Sequence, residues 1–429
     1  MKTYNNPTKS LWPELIQRPA INKEQLTQGV NTILNDVKQN GDKALIKYAS
    51  LFDGVELSNI RVTESEIEKA KNKVTPELKS AIALAYKNIA TFHQAQEIKE
   101  EVIETSAGVK CWRKSVAIEK IGLYIPGGSA PLFSTILMLG IPAKIAGCNE
   151  LVLCTPSNSS EEINPAILYS ANLVGIKKIY KIGGAQAIAA MAYGTETIPQ
   201  VYKIFGPGNQ YVTRAKELIQ QSGIAIDLPA GPSEVLIIAD QTCNPTFVAA
   251  DLLSQAEHGA DSQVILLSDN EQIVNECLAQ VEIQIKQLPK QEIALKALGN
   301  SKAIVLKSIA ECVEFSNNYA PEHLIFASEN ANQYGNKIRN AGSVFLGNYS
   351  CESAGDYASG TNHTLPTNGF AKNYSGVSLD SFVKKITYQE LNKEGLIGIG
   401  KAIEIMAEAE QLIAHKNAVT LRLKEINND

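Results

Sequence analysis

Ile179-Tyr180-Lys181-Ile182-Gly183-Gly184-Ala185-Gln186 passes from an apolar strand to a glycine turn and then into a helix that runs through Ala192. The same order returns at once. Val201 to Phe205 reads as a strand, Gly206-Pro207-Gly208-Asn209 as its loop, and a helix follows to Ile219. Upstream, Val116-Ala117-Ile118 and Ile121-Gly122-Leu123-Tyr124-Ile125 are strand-like, and Pro126-Gly127-Gly128-Ser129 turns into an apolar helix. Glu150 to Cys154 is a short buried strand and Ile163 to Leu173 a helix. Strand, short glycine or polar loop, helix, strand is the order of a parallel α/β sheet. Ligands of such sheets sit outside the carboxyl ends of the strands, where Tyr124, Gln186 and Asn209 fall. Glycine turns that open helices can offer backbone N–H groups to a phosphate. The full G-x-G-x-x-G fingerprint is missing, and a plain β–α connection would use the same glycines.

Working outward, Ile224 to Asp227 and Val235 to Ala239 read as strands flanking Ala230-Gly231-Pro232-Ser233. Val264 to Ser268 and Ala303 to Leu306 are further strands, with a helix over Glu271 to Gln287. The chain thus holds two Rossmann-like α/β domains with parallel sheets and a small helical C-terminal segment. Residues 123–233 form an inserted α/β domain. Residues 1–122 plus 234–380 form the first, and 381–429 the helical segment. From Asn22 to Phe92 the pattern is helical: Val30, Ile33, Leu34 and Val37 recur at helical spacing, Gly41-Asp42 breaks the run, and Glu64 to Phe92 holds two amphipathic helices parted near Thr75-Pro76. His93 at the end of the last reads as a packing residue.

At 429 residues, with 44% apolar and 20% charged residues, the chain is a globular protein of more than one domain. A net charge of −5 implies no basic face and argues against nucleic-acid binding. The seven cysteines are odd in number and lack framework spacing, which points to free thiols in a reducing compartment. The N-terminus has no secretory pattern. The most apolar run, Ala130 to Gly147, is interrupted by Pro131, Pro142 and Lys144 and is short for a membrane span. The expected location is cytoplasmic, without membrane attachment.

Polar residues gather at element ends. Phe247 to Gly259 reads as one helix, on which Gln255 and His258, three residues apart, share a face. Glu322-His323 follows Ala320-Pro321 and precedes the strand Leu324-Ile325-Phe326. Asp356 and His363 lie in a loop of small residues, Ala354 to His363. Glu410 and His415 sit on or near a final helix from Ile403 to Lys424, and the charged stretch before it, from Ser381, carries no strand. His258, His415 and Asp356, with the amide oxygen of Gln255, have the donor types that zinc takes. Spacing alone does not bring them together, and each has an ordinary reading as a cap, a loop hydrogen bond or a solvated charge.

Ser254-Gln255-Ala256-Glu257-His258-Gly259, Ala320-Pro321-Glu322-His323-Leu324, Gly355 through His363 and Ala414-His415-Lys416-Asn417-Ala418-Val419 together resemble histidinol dehydrogenase. So do Tyr124-Ile125-Pro126-Gly127-Gly128, Gly183-Gly184-Ala185-Gln186, Phe205 through Asn209 and Gly231-Pro232-Ser233-Glu234-Val235. The resemblance runs essentially end to end. It implies NAD-dependent oxidation of L-histidinol through L-histidinal to L-histidine, the last step of histidine biosynthesis. Two NAD⁺ and one zinc per chain would be used. By the same resemblance Gln255, His258, Asp356 and His415 hold zinc, and Glu322 and His323 are the acid–base pair. Tyr124, Gln186 and Asn209 contact NAD. Ser233, His323, His363 and Glu410 join the metal ligands around the substrate. A homodimer is implied, in which Glu410 and His415 reach the partner's site.

The residue types suit that chemistry. A neutral imidazole is a suitable base for an alcohol proton near neutral pH, and a carboxylate can activate the water that the aldehyde must take up. Three other readings stay open. A zinc-dependent amide hydrolase could use the same metal and Glu322, though it needs no nicotinamide loops. Cys111 or Cys148 could form a thiohemiacetal with the aldehyde. A metal-stabilised binding protein would leave Glu322-His323 without a purpose.

Overall fold

The computed structural model describes residues 1–18, 23–127, 131–229 and 231–428. Gly128 and Ser129 of the first glycine loop and Ala230 before Ser233 lie outside them. The chain divides into two compact units, residues 1–95 with 118–381 and residues 96–117 with 382–429.

The first unit contains two parallel sheets. One has six strands in the spatial order Lys2–Asn5, Lys302–Val305, Gln263–Ser268, Glu234–Ala239, His323–Ala327 and Ser343–Leu346. Its inner strands are continuous apolar runs, because helices cover both faces. Side chains alternate between two apolar clusters: Val235 and Ile237 pack with Val248 and Leu252 of the helix Pro245–Ala256, while Leu236 and Ile238 pack with Phe315 and Tyr319 of the helix Ile309–Tyr319. The other sheet has five strands in the order Lys178–Tyr180, Glu150–Cys154, Lys120–Tyr124, Lys203–Phe205 and Ala225–Ile226. Its core includes Val30, Leu34 and Val37 of the helix Lys23–Asn40 and the alanine-rich helix Gly184–Tyr193.

The run read as too short for a membrane is the helix Phe133–Ile145, buried from Ser134 through Ala143. Among the described residues no helix is long and apolar enough to cross a membrane. All seven cysteines are free thiols.

The second unit corrects two expectations. The stretch after Ser381 does carry a strand, Val383–Leu391, paired antiparallel with Val109–Ala117, which also pairs with Ile103–Ser106. Its Val, Ile, Thr and Tyr favour extended backbone, and Tyr388 stacks on Trp112 with ring centroids 5.3 Å apart. The intervening lysines mask this signal, since both faces of such a ribbon can stay wet. The expected single final helix is two, Lys393–Ala409 and Ile413–Asn428, separated where Gln411 takes a φ of 61°. Gly400 lets them meet closely, because a Cβ there would lie 2.9 Å from the Leu423 side chain.

Candidate active site

In the five-stranded sheet, spatial order reverses between Lys120–Tyr124 and Lys203–Phe205, and a cleft of ≈ 900 Å³ opens at the carboxyl ends. Tyr124, Gln186 and Asn209 all line it, with Asp53, Gly127 and Pro156. Each is held by its own element. The Tyr124 hydroxyl accepts from the Gly184 amide at 3.0 Å. The Asn209 side chain caps the helix Gln210–Ile219 by accepting from the Tyr211 and Val212 amides. Gly206, with a φ of 132°, is required between them: a Cβ would run into the Tyr124 carbonyl. Gln186 is buried, and its Oε1 has no hydrogen-bond partner.

A second polar cluster forms at the amino ends of the six-stranded sheet. Glu322 and His323 open the strand His323–Ala327, beside Ser233 and Glu234, which open the neighbouring strand Glu234–Ala239. Glu322 Oε2 accepts from the Glu234 amide at 2.8 Å. His323 Nδ1 lies 3.1 Å from the Glu234 carbonyl, and its Nε2 lies 3.5 Å from Asp356 Oδ1 without a hydrogen-bond partner. The helix bearing Gln255 ends at Ala256, two residues short of His258, which sits in the following turn with Ser233 Oγ 3.4 Å from its Nδ1. Gln255 and His258 therefore reach the cluster from a helix end and a turn, not from one helical face. Gly259 sits beyond the turn because Glu257 already leaves the helix as its C-cap.

Asp356 was expected in a loop but lies on the short helix Glu352–Tyr357. That helix brings in a residue the sequence reading missed. Glu352 and Asp356 are four apart on one helical face, and with His258 they offer ligand atoms that all lie within 4.8 Å of one another. The available signal was the carboxylate pair at helical spacing. The small residues around it, Ser353, Ala354 and Gly355, disguised the helix as a loop. Glu352 also accepts from Ser254 Oγ at 2.9 Å and from Gln255 Nε2. His363 flanks the cluster, with Nδ1 2.9 Å from the Asp356 carbonyl and Nε2 3.0 Å from Thr135 Oγ1. His93 is buried, with Nδ1 2.8 Å from the Ile89 carbonyl, in keeping with a packing role. Glu410 and His415 belong to the second unit, at the end of one helix and the first turn of the next, both exposed.

The cluster is rich in negative charge. Burial pushes Glu322 up to about 8 and Glu352 up to about 7. For His323 burial favours the neutral ring, but Glu322, Asp356 and Glu352 outweigh it and raise the group to about 10. The Glu322 and His323 tendencies compete, since a neutral Glu322 no longer draws the His323 proton. The raised His323 is the firmer of the two, because Asp356 and Glu352 act on it as well. The donor set fits a divalent cation. Gln255 Oε1, buried without a partner, has the cost of an unsatisfied acceptor, which coordination would remove. Imidazole, carboxylate and amide oxygen together make a borderline N/O site. Cys148 does not suit a thiolate role, since burial pushes its thiol up to about 11.

The family model described as histidinol dehydrogenase matches residues 16–423. The histidinol dehydrogenase of Bacteroides thetaiotaomicron is 58% identical over 426 residues, covering 99% of this chain and 100% of its own. That of Escherichia coli is 51% identical, covering 99% and 97%. The crystal structure of histidinol dehydrogenase from Elizabethkingia anophelis superposes with a TM-score of 0.98 at 62% identity, covering 100% of this chain and 99% of that one.

Proposed function

The chain belongs to the histidinol dehydrogenase family, the enzymes of the last step of histidine biosynthesis, and we propose that the amino-end cluster carries both oxidations of L-histidinol while the carboxyl-end cleft holds NAD. The observation that carries this reading is the cluster itself: His258, Glu352 and Asp356 converge beside the buried pair Glu322 and His323. Gln255, His258 and Asp356 with His415 would hold zinc, which would supply a template for orienting the substrate. Tyr124, Gln186 and Asn209, which line the cleft, would hold NAD, and it would supply the hydride acceptor for each step.

The residues of the chain move the protons. Once the negative charge of Asp356 and Glu352 that holds its extra proton is offset, His323 is neutral and its Nε2 takes the hydroxyl proton as hydride leaves the alcohol carbon, giving the aldehyde. Glu322 accepts a proton from the water that adds to the aldehyde, and the hydrate yields the second hydride and the carboxylate. The sum is alcohol, two NAD⁺ and water giving carboxylate, two NADH and three protons. Ser233, His363 and Glu410 line the substrate.

Glu410 and His415 complete the site from a second subunit of a homodimer. The second unit leaves Ile397, Ile405, Met406, Ile413 and Leu421 exposed on its two helices, apolar surface suited to a partner. A cytoplasmic, reducing location accords with seven free thiols. Two measurements test the reading. Zinc-loaded protein given histidinol and NAD⁺ should form two NADH per histidinol consumed, whereas no NADH from histidinol together with cleavage of a histidine amide to carboxylate and amine would favour hydrolysis instead. Mixing inactive His415→Ala subunits with inactive His258→Ala subunits should restore up to half the wild-type activity per heterodimer, because one site collects both lesions. No recovery would mean that each site is built from one chain.

A further inference from the structure

Arg18 ties together the two chain segments that carry the acid–base pair. Its Nε and Nη2 donate to the two carboxylate oxygens of Glu234, each at 2.9 Å, and its guanidinium lies 3.7 Å from the Tyr319 ring centroid. Nη2 also donates to the Tyr319 carbonyl at 2.9 Å and lies 3.4 Å from that of Ala320. Ala320 holds a φ of 54°, a conformation that a non-glycine residue keeps only when its surroundings enforce it. Pro321, Glu322 and His323 follow directly. Glu234 is almost fully buried, and its Oε1 also accepts from the Asn368 amide at 2.9 Å. Its backbone faces both members of the pair: the amide donates to Glu322 Oε2 at 2.8 Å and the carbonyl lies 3.1 Å from His323 Nδ1.

We propose that the Arg18–Glu234 ion pair is a positioning device that fixes the tautomer of His323 and the aim of Glu322. The proposal rests on the acid–base reading given above. A carbonyl can only accept, so the His323 nitrogen 3.1 Å from it must carry the hydrogen. The competing neighbour of Nδ1, the Gln255 amide nitrogen, is further away at 3.4 Å and already donates to Glu352. With Nδ1–H held by Glu234, any proton that His323 exchanges moves through Nε2, the atom that faces Asp356 and has no hydrogen-bond partner. The two-point contact needs the planar guanidinium, which an ammonium cannot reproduce.

The test uses zinc-loaded protein labelled with ¹⁵N-histidine, with kcat for histidinol, KM for NAD and the His323 ring ¹⁵N shifts as readouts. Replacing the whole pair by Arg18→Met with Glu234→Met removes both buried charges at similar volume, which spares the fold an unpaired charge. We expect kcat to fall about 10–100-fold, the scale of a small misplacement of a reacting group, with KM for NAD within about twofold of wild type. The neutral His323 ring should lose its Nδ1–H preference. Arg18→Lys should fall between this variant and wild type in both readouts, and it carries the test alone if the apolar pair does not fold. A folded variant with wild-type kcat, or one that keeps the Nδ1–H tautomer, overturns the proposal. His323→Ala separates this from failure of the underlying reading: wild-type turnover there removes the acid–base assignment itself.

Discussion

In the five-stranded sheet, spatial order reverses between Lys120–Tyr124 and Lys203–Phe205, and the carboxyl ends of those strands open into the cleft lined by Tyr124 and Asn209. In the six-stranded sheet the reversal lies between Glu234–Ala239 and His323–Ala327, yet there the carboxyl ends are tied shut. Asp240 accepts from the Thr242 amide at 2.8 Å, its hydroxyl at 2.6 Å and the Ser328 hydroxyl at 2.5 Å. Of the buried polar atoms without partners, Gln255 Oε1 and His323 Nε2 converge in the cluster at the amino ends, whereas Asn348 Oδ1 near the carboxyl ends stands apart from any ionisable cluster. A reversal of strand order offers a crevice at the carboxyl ends, but it does not oblige the chain to use it. The end where unsatisfied buried polar atoms converge among ionisable side chains is the end prepared for a ligand.

If the two ends divide the labour, lesions at each should separate cleanly. The largest effect is expected at the amino end: His323→Ala should lower kcat for histidinol by about 10²–10⁴-fold, the usual loss for a general base. NAD affinity should be spared, and an equal loss in NAD affinity would show that the clusters are not independent. Glu322→Gln should depress oxidation of added histidinal by about 10²-fold while sparing the alcohol step more. Equal defects on both substrates would merge the two roles into one.

At the carboxyl end, Gln186→Ala should raise KM for NAD about tenfold, the scale of one buried hydrogen bond, with zinc content unchanged by elemental analysis. Loss of zinc from this variant would tie the cleft to the metal cluster. Asn209→Ala should cost about 1 kcal/mol of stability through the lost helix cap, read from denaturant unfolding beside a weaker NAD affinity. An unchanged unfolding midpoint would remove the capping account.

The smallest expected signal is a proton count. Glu352, pushed up by burial to about 7, and His323, raised to about 10 by the carboxylates around it, retain protons near neutral pH without metal. Since both shifts are upward, these protons are held below the raised values, and a bound cation should drive them off. Zinc binding at pH 7 should then release protons, seen as calorimetric heats that vary with the ionisation enthalpy of the buffer. Heats independent of buffer would mean that the cluster is already ionised.

The sequence by itself determined the parallel sheets, because short apolar runs followed by glycine turns and helices leave few other foldings. It also determined the three cleft residues, since Tyr124 ends a strand while Gln186 and Asn209 follow strands and open or cap a helix in their own local segments. The motifs around Gln255, Glu322 and Asp356 carried the family. Only the tertiary structure decided which residues meet at the amino ends. Glu352 joins His258 across almost a hundred positions, and nothing periodic links a turn after one helix to the face of another. It also decided that the stretch 383–391 is a strand, because its pairing with Val109–Ala117 comes from far upstream. Glu234 entered the sequence reading only as part of the motif Gly231 to Val235, with no role of its own. Its part in holding Glu322 and His323 exists only through backbone groups of adjacent strands and a guanidinium from Arg18, contacts that sequence spacing does not encode.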